Sequence, residues 1–318
     1  MSEQIQLQGR DTAEQVWNVE SEDANRRQTE ITGQLSNKGG SGKGLSTSGK
    51  QDALAGLRRW QLERDDESDP GGRIYKDSAG TIFHSVTRIL SATAPAEQQK
   101  ALQKWLERPN SEADRSLAAE RGTLTHSHAE YLLKTANKLV RNTANRRGLW
   151  RTGPDGLERA PKAITAWAME KAIQGAPSPS WSASGYARGL RHWIAQHVTA
   201  IHAVEFSVHS LHGFAGSADG LLDIDGCCSV VDWKTTRKSA HACMETVLEG
   251  YRCQAAAYVL GLKERTGIEV DQAAIVLARR TGAPSVTLVR GQELRDAEQR
   301  FLERCARYFD SLTSGTSQ

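Results

Sequence analysis

The stretch GFAGSADGLLDIDGCCSVVDWKTT, residues 213–236, decides the fold. It holds two β-like runs, 216–224 and 227–235, joined by Asp225-Gly226, a dipeptide that favours the positive φ angles of a two-residue hairpin turn. Asp223 is assigned to the same turn, because Asp is a common turn former. The apolar pair Val230-Val231 indicates that the second strand is central. The stretch therefore predicts a hairpin inside a buried sheet.

Charged residues on this hairpin point to chemistry. Asp232 and Lys234 are two apart on a strand, so their side chains share a face, and packing alone gives no reason for them to be there. Asp219 lies within reach across the hairpin, and Glu205, in the β-run 203–210, points either outward or inward as a third carboxylate. Carboxylates crowded around one ammonium need a cation, and rigid carboxylates suit Mg²⁺ or Mn²⁺ rather than Zn²⁺. Such a site predicts phosphodiester cleavage.

Periodicity outward from the hairpin predicts an α/β fold. We expect a short hairpin and a helix within 73–90 and successive helices over 95–150. The remaining expected elements are helices over 160–175, 186–200, 245–263 and 292–312 and strands over 273–278 and 285–290. The pattern predicts an α/β core with a helical N-terminal elaboration. Residues 1–70 are expected to form a disordered or weakly structured leader, and 71–318 one catalytic domain.

Composition narrows the class of protein. The chain has 318 residues and five cysteines, without C-x-x-C spacing. No apolar stretch approaches the roughly 18 residues that cross a bilayer, and the first residues have no signal-peptide core. We therefore expect no membrane association and a cytoplasmic location, in a bacterium or a phage-infected host. The cysteines are expected to be reduced thiols.

The net charge of +3 conceals an asymmetry, because residues 1–70 are acidic and the remainder is basic. Between 131 and 162 there are eight Lys and Arg and only two acids, with a tryptophan among them. Such a run is often only a solvated face, but ahead of a metal site it predicts a wall that binds phosphates and stacks bases. The residues expected to bind DNA are Arg121, Lys138, Arg141, Arg146, Arg147, Trp150 and Arg151.

Three motifs in order resemble the PD-(D/E)XK nuclease superfamily and its RecB-like exonuclease branch. They are GSAD at 216–219, DWK at 232–234 and QAAAY at 254–258. The segments HSVTRIL at 84–90, KWLER at 104–108 and RGTLTHSHAEYL at 121–132 are similar to the mitochondrial genome maintenance exonuclease and its phage relatives. The resemblance covers the chain from about Arg73 to its C-terminus. It implies an α/β fold with a restriction-endonuclease-like core, a central mixed sheet flanked by helices.

The resemblance implies a set of metal ligands. Asp219 and Asp232 would bind the metal, together with the backbone carbonyl of Trp233. His126 matches the position of the branch's metal-binding histidine, and His128 is its competitor for that role. The expected cofactor is Mg²⁺, for which Mn²⁺ can substitute. Members with an iron–sulfur cluster use four spaced cysteines that this sequence does not offer, so no cluster is expected.

The resemblance also implies catalytic roles. Lys234 would be the catalytic lysine, and Glu205 would have a lesser catalytic role. Gln254 and Tyr258, four apart on one helix face, would organise the site or contact DNA.

The implied activity is a Mg²⁺-dependent DNA exonuclease that acts at free ends, with single-stranded ends favoured, in phage or bacterial replication, recombination or repair. A single-strand-binding protein or a recombinase is a candidate partner. A structure-selective endonuclease on the same core and a non-catalytic DNA-binding recombination partner are the alternatives.

Overall fold

The computed structural model describes residues 54, 57, 62–69, 72–237 and 245–314 of the chain. In this part the strands are β1 (Glu63–Asp65), β2 (Ile74–Lys76), β3 (Ile82–Ser85), β4 (Arg151–Thr152), β5 (Glu158–Arg159), β6 (Val198–His209), β7 (Phe214–Ile224), β8 (Cys227–Thr236), β9 (Gln272–Arg279) and β10 (Ser285–Arg290). The helices are α1 (Val86–Ala92), α2 (Ala96–Leu106), α3 (Ser111–Arg147), α4 (Lys162–Gly175), α5 (Ser184–His197), α6 (Glu245–Thr266) and α7 (Gly291–Ser314).

Eight of these strands form one mixed sheet. Its order is β1-β2-β3-β7-β8-β9-β10, and β6 pairs with the other side of β7. The pairs β3–β7 and β8–β9 are parallel, and the remaining pairs are antiparallel. β4 and β5 form a separate two-stranded sheet.

Helices cover both faces of the main sheet. One apolar core joins the sheet to α1, α6 and α7, and the other joins it to α3, α4 and α5. In the second core the indole of Trp233 on β8 meets that of Trp193 on α5 edge to face, with ring centroids 6.0 Å apart. Because both faces are covered, the central strands are apolar along most of their length, and charged residues within them are exceptions. The expected mixed sheet flanked by helices is confirmed.

The decisive hairpin is present as β7 and β8. Asp225 and Gly226 between them have φ angles of 51° and 92°, as a tight two-residue turn requires. Asp223 is not a turn residue, so that expectation is wrong. Its carboxylate is buried and accepts hydrogen bonds from the guanidinium of Arg159, and His202 Nε2 lies 2.9 Å from its Oδ1. The prediction failed because the sequence around a buried, ion-paired Asp next to a turn does not differ from the sequence around an Asp that forms the turn.

The successive helices expected over 95–150 are present as α2 and α3. α3 runs for 37 residues, preceded by the shorter α2. Its sequence has no proline and one internal glycine, so nothing in it forces a break. It ends at Gly148, whose φ of 61° is typical of a helix C-terminus.

Part of the region assigned to the leader packs on the core of the main sheet. Leu54 and Leu57 are buried in the core beside α6, and β1 pairs with β2. Residues 1–53 lie outside the described residues, so the leader and the helical N-terminal elaboration remain predictions. Cys243 also lies outside them, and the absence of an iron–sulfur cluster remains a prediction. None of the helices in the described ranges combines the length and apolar character needed to span a membrane.

Candidate active site

The site lies where β7 and β8 diverge. Their backbone ladder ends at the pair Gly220–Val231, so Asp219 and Asp232 are the first residues beyond it. The Asp219 carboxylate accepts a hydrogen bond from the backbone N–H of Trp233 and thereby replaces a ladder bond. Asp219 is 7% exposed and Asp232 is 3% exposed. Divergence of the strands thus places two carboxylates side by side at the edge of the core.

Two further ligand groups reach Asp219 from neighbouring elements. His126 on α3 places its Nδ1 2.9 Å from Asp219 Oδ1. Glu205 on β6 has a φ of 49°, a left-handed conformation that costs a non-glycine residue about 1–2 kcal/mol. Ligand atoms of His126, Glu205 and Asp219 all lie within 4.8 Å of one another. Backbone strain of this kind is concentrated at functional sites, where surrounding contacts hold it in place.

The second half of the site is an ion pair. Lys234 Nζ lies 2.7 Å from Asp232 Oδ2. The ammonium also lies 5.3 Å from the centroid of the Tyr251 ring on α6, within cation–π range. On the same helix, Gln254 Nε2 donates a hydrogen bond of 2.8 Å to the Tyr258 hydroxyl, and both side chains are buried. α6 therefore supports the β8 side of the site, while α3 closes its β7 side.

Burial and mutual repulsion shift the pKa values of the acids. Burial raises the pKa of Glu205 to about 8, helped by the nearby charges of Asp219 and Glu130. Burial also raises the pKa of Asp232, with Asp219 adding to the shift and Lys234 opposing it. Both shifts favour the neutral form of the acid, and a cation bound between the carboxylates would favour their charged forms instead.

The two cationic side chains respond in the opposite sense. Burial lowers the pKa of His126, but the Asp219 carboxylate outweighs it and leaves a net rise. Burial likewise opposes charge on Lys234, yet the Asp232 carboxylate raises its pKa overall. Both groups thus owe their charge to the carboxylates beside them.

These residues fit a divalent cation. Asp232 Oδ2 is paired with the Lys234 ammonium at 2.7 Å, and the ligand atoms of His126, Glu205 and Asp219 beside this pair lie within 4.8 Å of one another. Three buried or half-buried ligand groups at such short range need a cation to offset their mutual repulsion. The donor set of carboxylates with one imidazole suits Mg²⁺ or Mn²⁺.

Gly216 on β7 leaves room for the Tyr258 ring, since a methyl group at this position would overlap it. We expect Gly216→Ala to destabilise the protein by about 2 kcal/mol and to displace the Gln254–Tyr258 pair. Urea unfolding measures the loss. Gly250→Ala on α6 is the control, because its methyl group would meet no atom within 4 Å, and it should leave stability equal or slightly raised. Equal effects of the two substitutions would refute the close approach.

The structure separates the residues expected to bind DNA. Lys138 and Arg141 line a groove that also contains Glu205. The guanidinium of Arg121 instead stacks on the Tyr186 ring, 5.1 Å from its centroid. The other four residues lie at or after the C-terminal end of α3. Arg146, Arg147 and Arg151 are exposed, and the indole N–H of Trp150 donates a hydrogen bond to Asn145.

Two placements could not be read from the motifs. Tyr251 contacts Lys234. The sequence offers one signal for this contact: Tyr251 precedes Gln254 by three residues and Tyr258 by seven, a spacing that places all three on one helix face. His128 is buried away from the carboxylates, near Arg191, and takes no part in the cluster around His126.

Comparison with known proteins identifies the family of the chain. Residues 45–317 match the family model of the PD-(D/E)XK nuclease superfamily, and the chain belongs to that superfamily. Among curated proteins no match is found. A solved structure that resembles the chain is that of a candidate exonuclease from Eubacterium rectale, with 14% sequence identity and a TM-score of 0.33. The alignment covers 59% of this chain and 66% of that one, so the chain spans just under two thirds of that neighbour's length.

Proposed function

We propose that the protein is a Mg²⁺-dependent DNA exonuclease of the RecB-like branch, with Mn²⁺ able to replace Mg²⁺. The observation that carries the proposal is the convergence of His126, Glu205 and Asp219 beside the buried Asp232–Lys234 pair. Membership of a nuclease superfamily supports DNA as the substrate. Action at free ends, a preference for single strands and a role in phage or bacterial DNA replication, recombination or repair complete the proposal, with a single-strand-binding protein or recombinase as partner.

Each residue has a defined task in this mechanism. Asp219 and Asp232, with His126, Glu205 and the Trp233 carbonyl, would hold a divalent cation, which supplies positive charge to the scissile phosphate and lowers the pKa of the attacking water. Asp219 is held in position by the Trp233 N–H.

The remaining groups act on the phosphate and on the lysine. Lys234 directs its ammonium at the negative charge that develops on the phosphate oxygens. Tyr251 confines that ammonium, and the Gln254–Tyr258 hydrogen bond fixes the wall behind it. No covalent enzyme intermediate is required, because water is the nucleophile.

End dependence is tested with two DNA substrates of the same sequence. Linear single-stranded DNA, labelled at one end, should be shortened progressively in Mg²⁺, while its circular form should survive. Gel electrophoresis over a time course distinguishes the two. Cleavage of the circle would show that the protein is a structure-selective endonuclease and not an exonuclease. Binding of both without cleavage in Mg²⁺ or Mn²⁺ would leave a non-catalytic DNA-binding protein.

A further inference from the structure

A groove runs from the carboxylate cluster along the outer side of β6. Its cavity has a volume of about 590 Å³. One wall is β6, from Ala203 to Ser207, and includes Glu205. The opposite wall is one face of α3, whose lining side chains are Lys134, Asn137, Lys138, Arg141, Asn142 and Asn145. We refer to it as the α3–β6 groove. Because Glu205 belongs both to the groove and to the ligand cluster, the groove opens directly onto the site.

The α3 wall is a row of cations and amides with helical spacing. Lys134, Lys138, Arg141 and Asn145 follow one another at intervals of four, three and four residues, so they form one stripe. At 1.5 Å per residue the stripe is about 16 Å long. The row is therefore long enough to contact several consecutive groups of an extended ligand.

Two of the three charges of this stripe are available to a ligand. Lys134 pairs with Glu130, one turn nearer the site. Lys138 and Arg141 are exposed, and no ion pair to either is found among the residues that the structure describes. Among the described residues that line the groove, Glu205 is the one acid, and it lies at the end where a cation would bind. Beyond that end the groove is positively charged, which suits a polyanion.

The size of the groove limits that polyanion. A volume of about 590 Å³ falls within the range of roughly 300–1,000 Å³ typical of small-molecule sites. A duplex, whose major groove alone is about 12 Å wide and admits a whole α-helix, cannot enter a cavity of this size. One extended strand can.

We propose that the α3–β6 groove binds a single polynucleotide strand and leads it to the site beside Glu205. Lys138 and Arg141 contact successive phosphates, as cations along a single-strand channel do. Asn137 and Asn142 face the bases or sugars, because an amide carries both a donor and an acceptor and matches either. This inference rests on the proposed nuclease function and adds to it the path of the strand.

The test is binding of a fluorescent single-stranded oligonucleotide of about a dozen nucleotides to the full chain, by anisotropy in EDTA. The double variant Lys138→Glu/Arg141→Glu should weaken binding by at least about tenfold and flatten the dependence of affinity on salt. Its matched control is Arg295→Glu/Arg307→Glu, two exposed residues of α7 on the other face of the sheet. The control has the same net charge and should bind within about twofold of the wild type.

A second pair of variants tests the groove without a change of charge. Asn142→Trp should obstruct it and weaken binding by at least about tenfold, whereas Asn142→Ala, which leaves it open, should weaken binding by no more than about threefold. Thermal unfolding of all variants shows that each remains folded. Equal binding by Asn142→Trp and Asn142→Ala would overturn the proposal, and so would equal binding by the two charge-reversed variants.

Two outcomes separate this proposal from the nuclease function. If the wild type degrades DNA but the groove variants bind and degrade single strands normally, the groove is not the path and the nuclease function stands. If the groove variants lose binding but the wild type cuts nothing in Mg²⁺ or Mn²⁺, the groove is the binding path for a single strand and the proposed nuclease function is wrong.

A blunt duplex of the same sequence should bind more weakly than the single strand. Equal affinity that depends equally on Lys138 and Arg141 would contradict the size argument.

Discussion

Lys234→Met should lower the rate of DNA cleavage by at least about 10³-fold, because it removes the positive charge aimed at the phosphate while keeping the volume of the side chain. Asp232→Asn should have an effect of the same size, since it removes a ligand charge from the centre of the cluster. Cleavage of labelled linear DNA in Mg²⁺, followed from initial rates, measures both.

Exposed Lys171 on α4 provides the control for this pair. Lys171→Met makes the same chemical change away from the site and should cut at the wild-type rate. Far-UV circular dichroism and thermal unfolding establish that the variants are folded, which is needed because breaking a buried ion pair costs about 3–5 kcal/mol. A folded Lys234→Met protein that cuts at the wild-type rate would show that Lys234 is not the catalytic lysine.

The second large effect concerns stability. Asp223→Asn should destabilise the protein by about 3 kcal/mol near pH 7, because it deprives the guanidinium of Arg159 and the ring of His202 of a buried carboxylate. The side chain of Asp223 is 2% exposed. Asp225→Asn is the control: that side chain is 65% exposed in the turn, and Asn tolerates the positive φ. It should change stability by less than about 0.5 kcal/mol.

The same carboxylate makes stability depend on pH. Burial raises the pKa of Asp223, but hydrogen bonds from His202 and Arg159 outweigh burial and leave it below the usual value of 3.8. A lowered pKa in the folded state contributes stability that is present above the unfolded pKa and is lost as pH falls through the folded value. The stability difference between wild type and Asp223→Asn, from urea unfolding, should therefore shrink below about pH 4. A difference that stays constant to pH 2 would contradict the ion-paired state.

The sequence predicts the β7–β8 hairpin and its place in a mixed sheet, because turn chemistry and alternation are local signals. The dipeptide Asp225-Gly226 fixes the turn, and the apolar residues around Asp232 indicate a central strand. The order of the motifs identifies the superfamily. These features can be predicted from residues that are neighbours in the sequence, or from motifs that occur in a known order.

Other features depend on tertiary contacts that no local pattern encodes. The positive φ of Glu205 arises where β6 opposes Asp219, and a glutamate in a β-run gives no sign of it. The pairing of Asp223 with Arg159 joins residues 64 apart. The α3–β6 groove needs two elements that are distant in sequence to lie side by side, so the basic run could indicate a charged surface but not which of its members faces the site.

The most direct test of the metal-dependent site is degradation of end-labelled linear DNA by the wild type and by Asp219→Asn. Each is assayed in Mg²⁺, in EDTA, and in EDTA to which excess Mg²⁺ has been restored. We predict that the wild type degrades the DNA in Mg²⁺, stops in EDTA and recovers with restored Mg²⁺, and that folded Asp219→Asn is inactive throughout. Degradation by the wild type in EDTA, or by Asp219→Asn at the wild-type rate in Mg²⁺, would contradict a metal-dependent site at Asp219.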